Sequence, residues 1–177
     1  MSMMPVGWVF LPGRPFFKMV NTFMASAVGL GPIFDPNNPL KLDNTRSAVF
    51  YGYVISQASI DMQQVRDQAL SGGTTGHDAV ISLCCMFVNS TYEEVGHQND
   101  HSPEFEVFRH LRNAASHQNR FHFKPHEPRR PAAWRGFVID HNQKGSSNPL
   151  HGTPCFGTKI GPADIIFLLS DIESKLP

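Results

Sequence analysis

This 177-residue chain has little cysteine, no net charge and no long apolar run. Its three cysteines, Cys84, Cys85 and Cys155, are odd in number and lack C-x-x-C spacing. Neither a disulfide framework nor a zinc ribbon is indicated, and a reducing compartment is the expectation. Fifteen Lys and Arg balance fifteen Asp and Glu, so no overall field draws the chain to nucleic acid or to a membrane surface. The longest helix-like apolar stretch, Ala79 to Val88, is far short of the ~20 residues that cross a bilayer. Met1 to Phe17 is apolar but has no cationic start and is interrupted by Pro5, Pro12 and Arg14, a poor match to a secretory signal. These absences predict a soluble cytoplasmic protein with no membrane contact.

What is present is ordinary core material with extra proline. Hydrophobic residues make up 41% of the chain, about 49% with the glycines, within the globular range. The length fits a single domain over residues 1–177. Fourteen prolines exceed the usual share of roughly 5% and predict many turns.

Along the chain, Phe16 to Leu30 is apolar enough for a helix, with Gly29 and Gly31–Pro32 as its stop. A loop over Ile33 to Leu40, rich in proline and asparagine, follows. The spacing of Val49, Phe50, Tyr53, Val54, Ile60, Val65 and Leu70 predicts a second helix from about Leu42 to Leu70, closed by Gly72–Gly73. A third starts near Asp78 as N-cap and runs to Val95. After a polar loop, Gly96 to Ser102, a fourth opens at Pro103, with Glu104 and Glu106 at its positive end and Asn119 able to close it in the left-handed conformation. Phe121 to Lys159 reads as loops plus a small hairpin, its β-prone pieces being Phe121–Phe123, Phe137–Asp140 and Cys155–Thr158. Gly161–Pro162–Ala163–Asp164 opens a last helix with an apolar stripe of Ile165, Ile166, Leu168, Leu169, Ile172 and Leu176. The expected fold is mainly α: an antiparallel helical bundle with a small β-hairpin and loop insertion before its last helix.

The fourth helix carries the chemistry. On a helical projection Val107, Phe108, Leu111, Ala114 and Ala115 form an apolar arc about 120° wide. The opposite arc collects Glu106, Arg109, His110, Arg112, Asn113, Ser116 and His117, with Phe105 as its apolar exception. A solvated polar face is the plain interpretation. The functional one is phosphate chemistry: guanidinium grips phosphoryl oxygens through a fork of donors, and imidazole exchanges a proton near neutral pH. Metal binding fits less well, because cationic neighbours repel a dication. Seven Lys and Arg between Arg109 and Arg135 face one acid, Glu127, whereas Glu93 to Glu106 holds five acids and no Lys or Arg. These segments either create a basic zone or neutralise each other across the fold.

The run Arg112-Asn113-Ala114-Ala115-Ser116-His117 resembles the RNxxxH signature of the HEPN superfamily. Similar spacings at Arg120–His126 and Arg135–His141 contain Pro125 or follow Gly136 and do not sit on plausible helices. The strings RNAASHQNRFHF, PAAWRGFVID and GPADIIFLLSDIESKL are similar to a plasmid and bacterial branch of HEPN-like proteins, over about Ser102 to Leu176. The resemblance implies a helical bundle acting as a metal-independent endoribonuclease of a toxin–antitoxin or phage-defence system, without cofactor. Arg112 and His117 would be its catalytic pair and Asn113 their assistant, with Arg109, Ser116 and Arg120 contacting RNA. Arg112 and His117 lie about 7.5 Å apart along the axis and about 140° around it, so one copy presents them at two edges of the polar face. The resemblance implies a homodimer that joins two such helices in a composite cleft, and an antitoxin protein is a further candidate partner. The alternative is a catalytically inactive HEPN-like module that binds RNA, a nucleotide or a protein.

Four other features weigh less. Trp134 suits hairpin packing better than base stacking. Cys84 and Cys85 read as small buried residues. His97 and His101 have metal-like spacing but fall in a loop. Gly72 to His77 is glycine-rich but lacks the Gly-Lys-Ser/Thr ending of a phosphate loop.

Overall fold

The computed structural model describes residues 10–34, 47–51, 53–54, 58–143 and 145–177. Among them are five α-helices and two two-stranded antiparallel sheets, so the fold is mainly helical. Contacts divide the described chain into two compact units. One comprises residues up to Phe23 together with Ile81–Pro177, and the other lies within Met24–Val80.

Helix α1 spans Phe17–Phe34 and runs through the glycine–proline pair expected to stop it. Pro32 sits in the last turn, where a missing donor interrupts little of the remaining helix. The expected long second helix is not formed. Its first residues, and most of the preceding loop, lie outside the described residues. Ser47–Phe50 (β1) and Ala58–Asp61 (β2) instead pair as antiparallel strands, consistent with the β preference of Val49, Phe50 and Ile60. Among the described residues of that stretch only Met62–Ser71 (α2) is helical, started by Asp61, whose carboxylate accepts the Gln63 and Gln64 amides at 2.8 and 3.0 Å. Helix α3 covers Gly76–Val95. Its start is a reciprocal cap in which the Asp78 amide donates to Thr75 Oγ1 and the Thr75 amide to the Asp78 carboxylate. Asp78 is therefore the third helical residue and Thr75 the cap.

The larger unit is organised around α4, Pro103–Ser116. Val107, Phe108, Leu111 and Ala114 of the predicted apolar arc are buried, and Ala115 is half-buried. Phe108 meets Phe16 and Tyr92 edge-on, with ring centres 6.4 and 5.2 Å apart. Helix α5, Pro162–Glu173, packs on α4 and contributes Ile165, Ile166, Leu168, Leu169 and Ile172 to the core, each such side chain contributing roughly 1.5–3 kcal/mol. Leu176 lies past the helix end. The opening of the chain is fastened to α5: the Arg14 guanidinium donates to the carbonyls of Glu173, Leu176 and Pro177, and the Phe16 amide donates to the Glu173 carboxylate.

The hairpin expected before the last helix is present as Ala132–Trp134 (β3) and Phe137–Ile139 (β4), with β3 packed on α4. Arg135 and Gly136 form its two-residue turn with φ of 44° and 88°, the doubly left-handed geometry that matches strand twist. Asp171 of α5 holds Arg135 at 3.0 and 3.1 Å and accepts the Trp134 indole N–H at 2.8 Å. Trp134 is thus tied to the helix behind it. Phe121–Phe123 and Cys155–Thr158 form no named strands, only isolated bridges at Arg120–Pro154 and Phe156–Ile160. No helix among the described residues is long and apolar enough to cross a membrane.

Candidate functional site

The polar arc of α4 divides in two. Glu106 is wholly buried and Glu127 nearly so. Arg109 lies between them, its Nε donating to Glu106 at 2.8 Å and its Nη1 to Glu127. Asn99 and Arg130 also donate to Glu106, at 3.2 and 3.4 Å. Burial resists ionisation of Glu106, but the Arg109 hydrogen bond and charge, with Asn99 and Arg130, outweigh it and lower the pKa below the carboxylate norm. Arg109 Nη2 lies 3.0 Å from His110 Nε2. Guanidinium nitrogens only donate, so Nε2 is the acceptor and the ring proton sits on Nδ1. Burial first, then the Arg109 charge, pushes His110 down to about 4, and the ring is neutral at ordinary pH.

Two carboxylates thus engage the Arg109 guanidinium, which also lines a cleft with Arg112 and Asn113. The 124–130 segment folds over part of the face that a projection of α4 alone leaves open. The same packing removes Glu106 and His110 from solvent. The charge-rich segments also meet: Glu106 pairs with Arg109 and Arg130, and Glu93 with Arg112. The local basic excess shrinks to Arg120, Lys124 and Arg129, which make no ion pair among the described residues.

Arg109, Arg112 and Asn113 line a cleft of about 530 Å³ with Tyr92, Lys124, His126 and Glu127. Arg112 Nη2 donates to Glu93 at 2.7 Å, and its guanidinium carbon lies 5.7 Å from the Tyr92 ring centre. Its Nε is buried without an acceptor, leaving a donor unspent at the edge of that cleft. Ser116 and His117 line a second cleft, of about 320 Å³, with Arg120, His122 and His151. The structure thus places Arg112 and Asn113 together and His117, Ser116 and Arg120 together, the two sets in separate clefts of one subunit. Ser116 donates to Asn89 at 3.0 Å, and Arg120 Nη1 to the Gly152 carbonyl at 2.6 Å.

A tight reversal builds the second cleft. The helix ends at Ser116, and Gln118 and Asn119 follow with φ of 56° and 61°, a conformation that costs side-chain-bearing residues energy but that asparagine tolerates best. Asn119 is locked by a two-point clasp: its amide donates to the Phe156 carbonyl at 3.0 Å, and its carbonyl accepts the Phe156 amide at 2.7 Å. The chain returns as an extended segment in which Phe121 and Phe123 are buried and His122 between them is not, the alternation of extended backbone. His122 consequently stacks on His117, with ring centres 4.0 Å apart and planes 19° apart. Backbone bonds from Phe121 to Gly152 and Thr153 bring His151 alongside, 5.4 Å from His122. Burial, then the neighbouring His117 and His151, hold the His122 pKa below the histidine norm.

Tyr92, Lys124, His126, His122 and His151 were not singled out by motif. The alternation Phe121–His122–Phe123 was a usable signal for His122. His151 lies in a distant loop and had none. Among the described residues no group of three or more His, Cys, Asp or Glu side chains is placed to share a metal ion. No family model, curated protein or solved structure matches the chain.

Proposed function

We propose that this chain is a HEPN-type, metal-independent endoribonuclease of the cytoplasm, acting as a toxin or in phage defence. The observation that carries the proposal is the placement of the motif residues. Arg112, Asn113, Ser116 and His117 all line clefts at one end of α4, with Arg109 beside Arg112 in the first of them, whereas His110 is buried. In this mechanism the RNA 2′-oxygen attacks its neighbouring phosphorus, the 2′,3′-cyclic phosphate forms, and the 5′-oxygen leaves. Arg112 and Asn113 hold the phosphoryl oxygens, and His117 transfers a proton. The need for a 2′-hydroxyl selects RNA over DNA. Because Arg112 and His117 face separate clefts, the complete site is composite, with a two-fold homodimer bringing Arg112 of one copy to His117 of the other. An antitoxin protein would act by covering these clefts.

The purified chain is expected to cleave RNA in EDTA. Arg112→Ala and His117→Ala should each lose about 100-fold or more in rate with unchanged circular dichroism. An equimolar mixture of the two variants, dissociated and reassociated, should recover part of the activity. Cleavage indifferent to either substitution would place the chemistry elsewhere.

A second reading is a non-catalytic module that binds RNA, a nucleotide or a protein. It is favoured by the Glu93 carboxylate and the Tyr92 ring, which already engage Arg112. RNA retention by the unmodified chain without cleavage, lost in Arg112→Ala, would select it.

A further inference from the structure

We propose that His122 is a second catalytic residue, a general base paired with His117 as general acid inside one subunit, and that Arg120 holds the phosphodiester beside them. The inference rests on the ribonuclease reading above but adds to it a group outside the Arg112–His117 motif. Transesterification of RNA requires two proton transfers, one from the 2′-hydroxyl and one to the departing 5′-oxygen. A single imidazole must change state between them, whereas two imidazoles can perform both in one passage.

The geometry supplies such a pair. His117 and His122 stack at 4.0 Å on the wall of a cleft of about 320 Å³ that also holds Arg120 and Ser116. Two imidazoles this close can divide the two transfers between them, one ring as acid and the other as base. Of the two rings, His117 is the one standing at the carbonyl end of α4. Burial, together with His117 and His151, favours the neutral form of His122; Lys124 acts in the same sense and Glu127 against it. His151 has a different part. Its Nδ1 accepts the Phe123 amide at 3.3 Å, which fixes the proton on Nε2 and makes it a positioning residue against which His122 rests. Arg120 uses one nitrogen on the Gly152 carbonyl, and its other donors have no partner among the described residues. A guanidinium tethered in this way can bind phosphoryl oxygens while staying charged.

In the step itself, His122 takes the proton of the 2′-hydroxyl as the 2′-oxygen–phosphorus bond forms. The phosphorus–5′-oxygen bond breaks, and His117 donates its proton to that oxygen. The products are a 2′,3′-cyclic phosphate and a 5′-hydroxyl. The pair ends with its proton on the other ring and resets through solvent.

The test compares the unmodified chain with His122→Asn and His117→Asn on two probes, uridylyl-(3′,5′)-adenosine and uridine 3′-(4-nitrophenyl phosphate). The nitrophenolate of the second probe leaves without a proton. His122→Asn should lose about 100-fold on both probes, together with the acid limb of its kcat/KM profile. His117→Asn should lose as much on the dinucleotide but stay within about tenfold on the nitrophenyl ester. Reassociated mixtures of the two variants should not recover activity, because both rings belong to one subunit; recovery would overturn the pairing. An active chain indifferent to His122→Asn, and to His122→Gln should the first variant misfold, would overturn the inference and leave the ribonuclease reading standing. An unmodified chain that cleaves neither probe nor a long RNA would overturn both.

Discussion

The two ends of α4 carry the same residue types and put them to opposite uses. Arg109 and Arg112 lie one turn apart and line the same cleft, yet Arg109 is held by the buried Glu106 and Glu127 whereas Arg112 pairs with the exposed Glu93. His110 is buried and neutral; His117, seven residues on, is exposed and stacked on another imidazole. The difference comes from what covers the helix. The 124–130 segment supplies Glu127 and Arg130 to the buried cluster and also walls the cleft beside Arg112 and Asn113, and the reversal at Gln118–Asn119 returns His122 against His117. A polar side chain's role is thus set by the segment that returns over it, not by its place on the helix.

Four measurements would break or sharpen this contrast. The largest effect belongs to Arg109→Ala, which leaves Glu106 and Glu127 buried without their shared cation. A loss of about 3–5 kcal/mol in urea unfolding is expected, and a loss comparable to that of Arg112→Ala would erase the distinction. His110 supplies the pH dependence. Its folded pKa, about 4, lies below the unfolded value of about 6.5, so the unfolded chain binds the proton first as pH falls. Stability from this ring is complete above that unfolded value and declines towards the folded one, by roughly 3 kcal/mol at about 1.4 kcal/mol per pH unit. Glu106 acts in the same direction at lower pH, its contribution being lost as pH falls through its lowered folded value. Ring-proton NMR showing His110 charged at pH 6 would contradict the assignment.

Smaller effects test the open end. Asn119→Ala removes both clasp bonds to Phe156 and retains a left-handed backbone that alanine disfavours, at a cost of about 2 kcal/mol. It should also separate His117 from His122, read as loss of their mutual chemical-shift coupling during titration. Arg112→Ala should cost less than about 1 kcal/mol, because its partner Glu93 is largely exposed and such pairs contribute little. Unaltered stability beside strongly reduced RNA cleavage is the signature expected of a residue that works on a ligand.

Sequence order alone was a good guide to α3, α4 and α5, whose apolar spacing agrees with their tertiary surroundings, although the caps of α3 and α4 fall at Thr75 and His117 and not at Asp78 and Asn119. It misjudged the region before α2, where Val49, Phe50 and Ile60 fit a helical repeat yet pair across a hairpin. Apolar side chains can satisfy either period, and the partner strand decides. The site followed the same rule. Motif spacing located Arg112, Asn113 and His117, but no local pattern could join His117 to His151, whose approach depends on Phe121 bonding to Gly152 and Thr153.

The amino-acid order by itself determined a mainly helical chain, the start of its central helix, the left-handed Asn119 and the segment in which reactive side chains lie. Only the tertiary structure decided which arginine is enclosed, which histidine is neutral and which imidazoles touch. Helix caps and apolar repeats act within a few residues, so they are written locally. Enclosure and ring stacking depend on how the chain returns over the helix, as Glu127 does eighteen residues after Arg109, and those returns exist only once the core has formed.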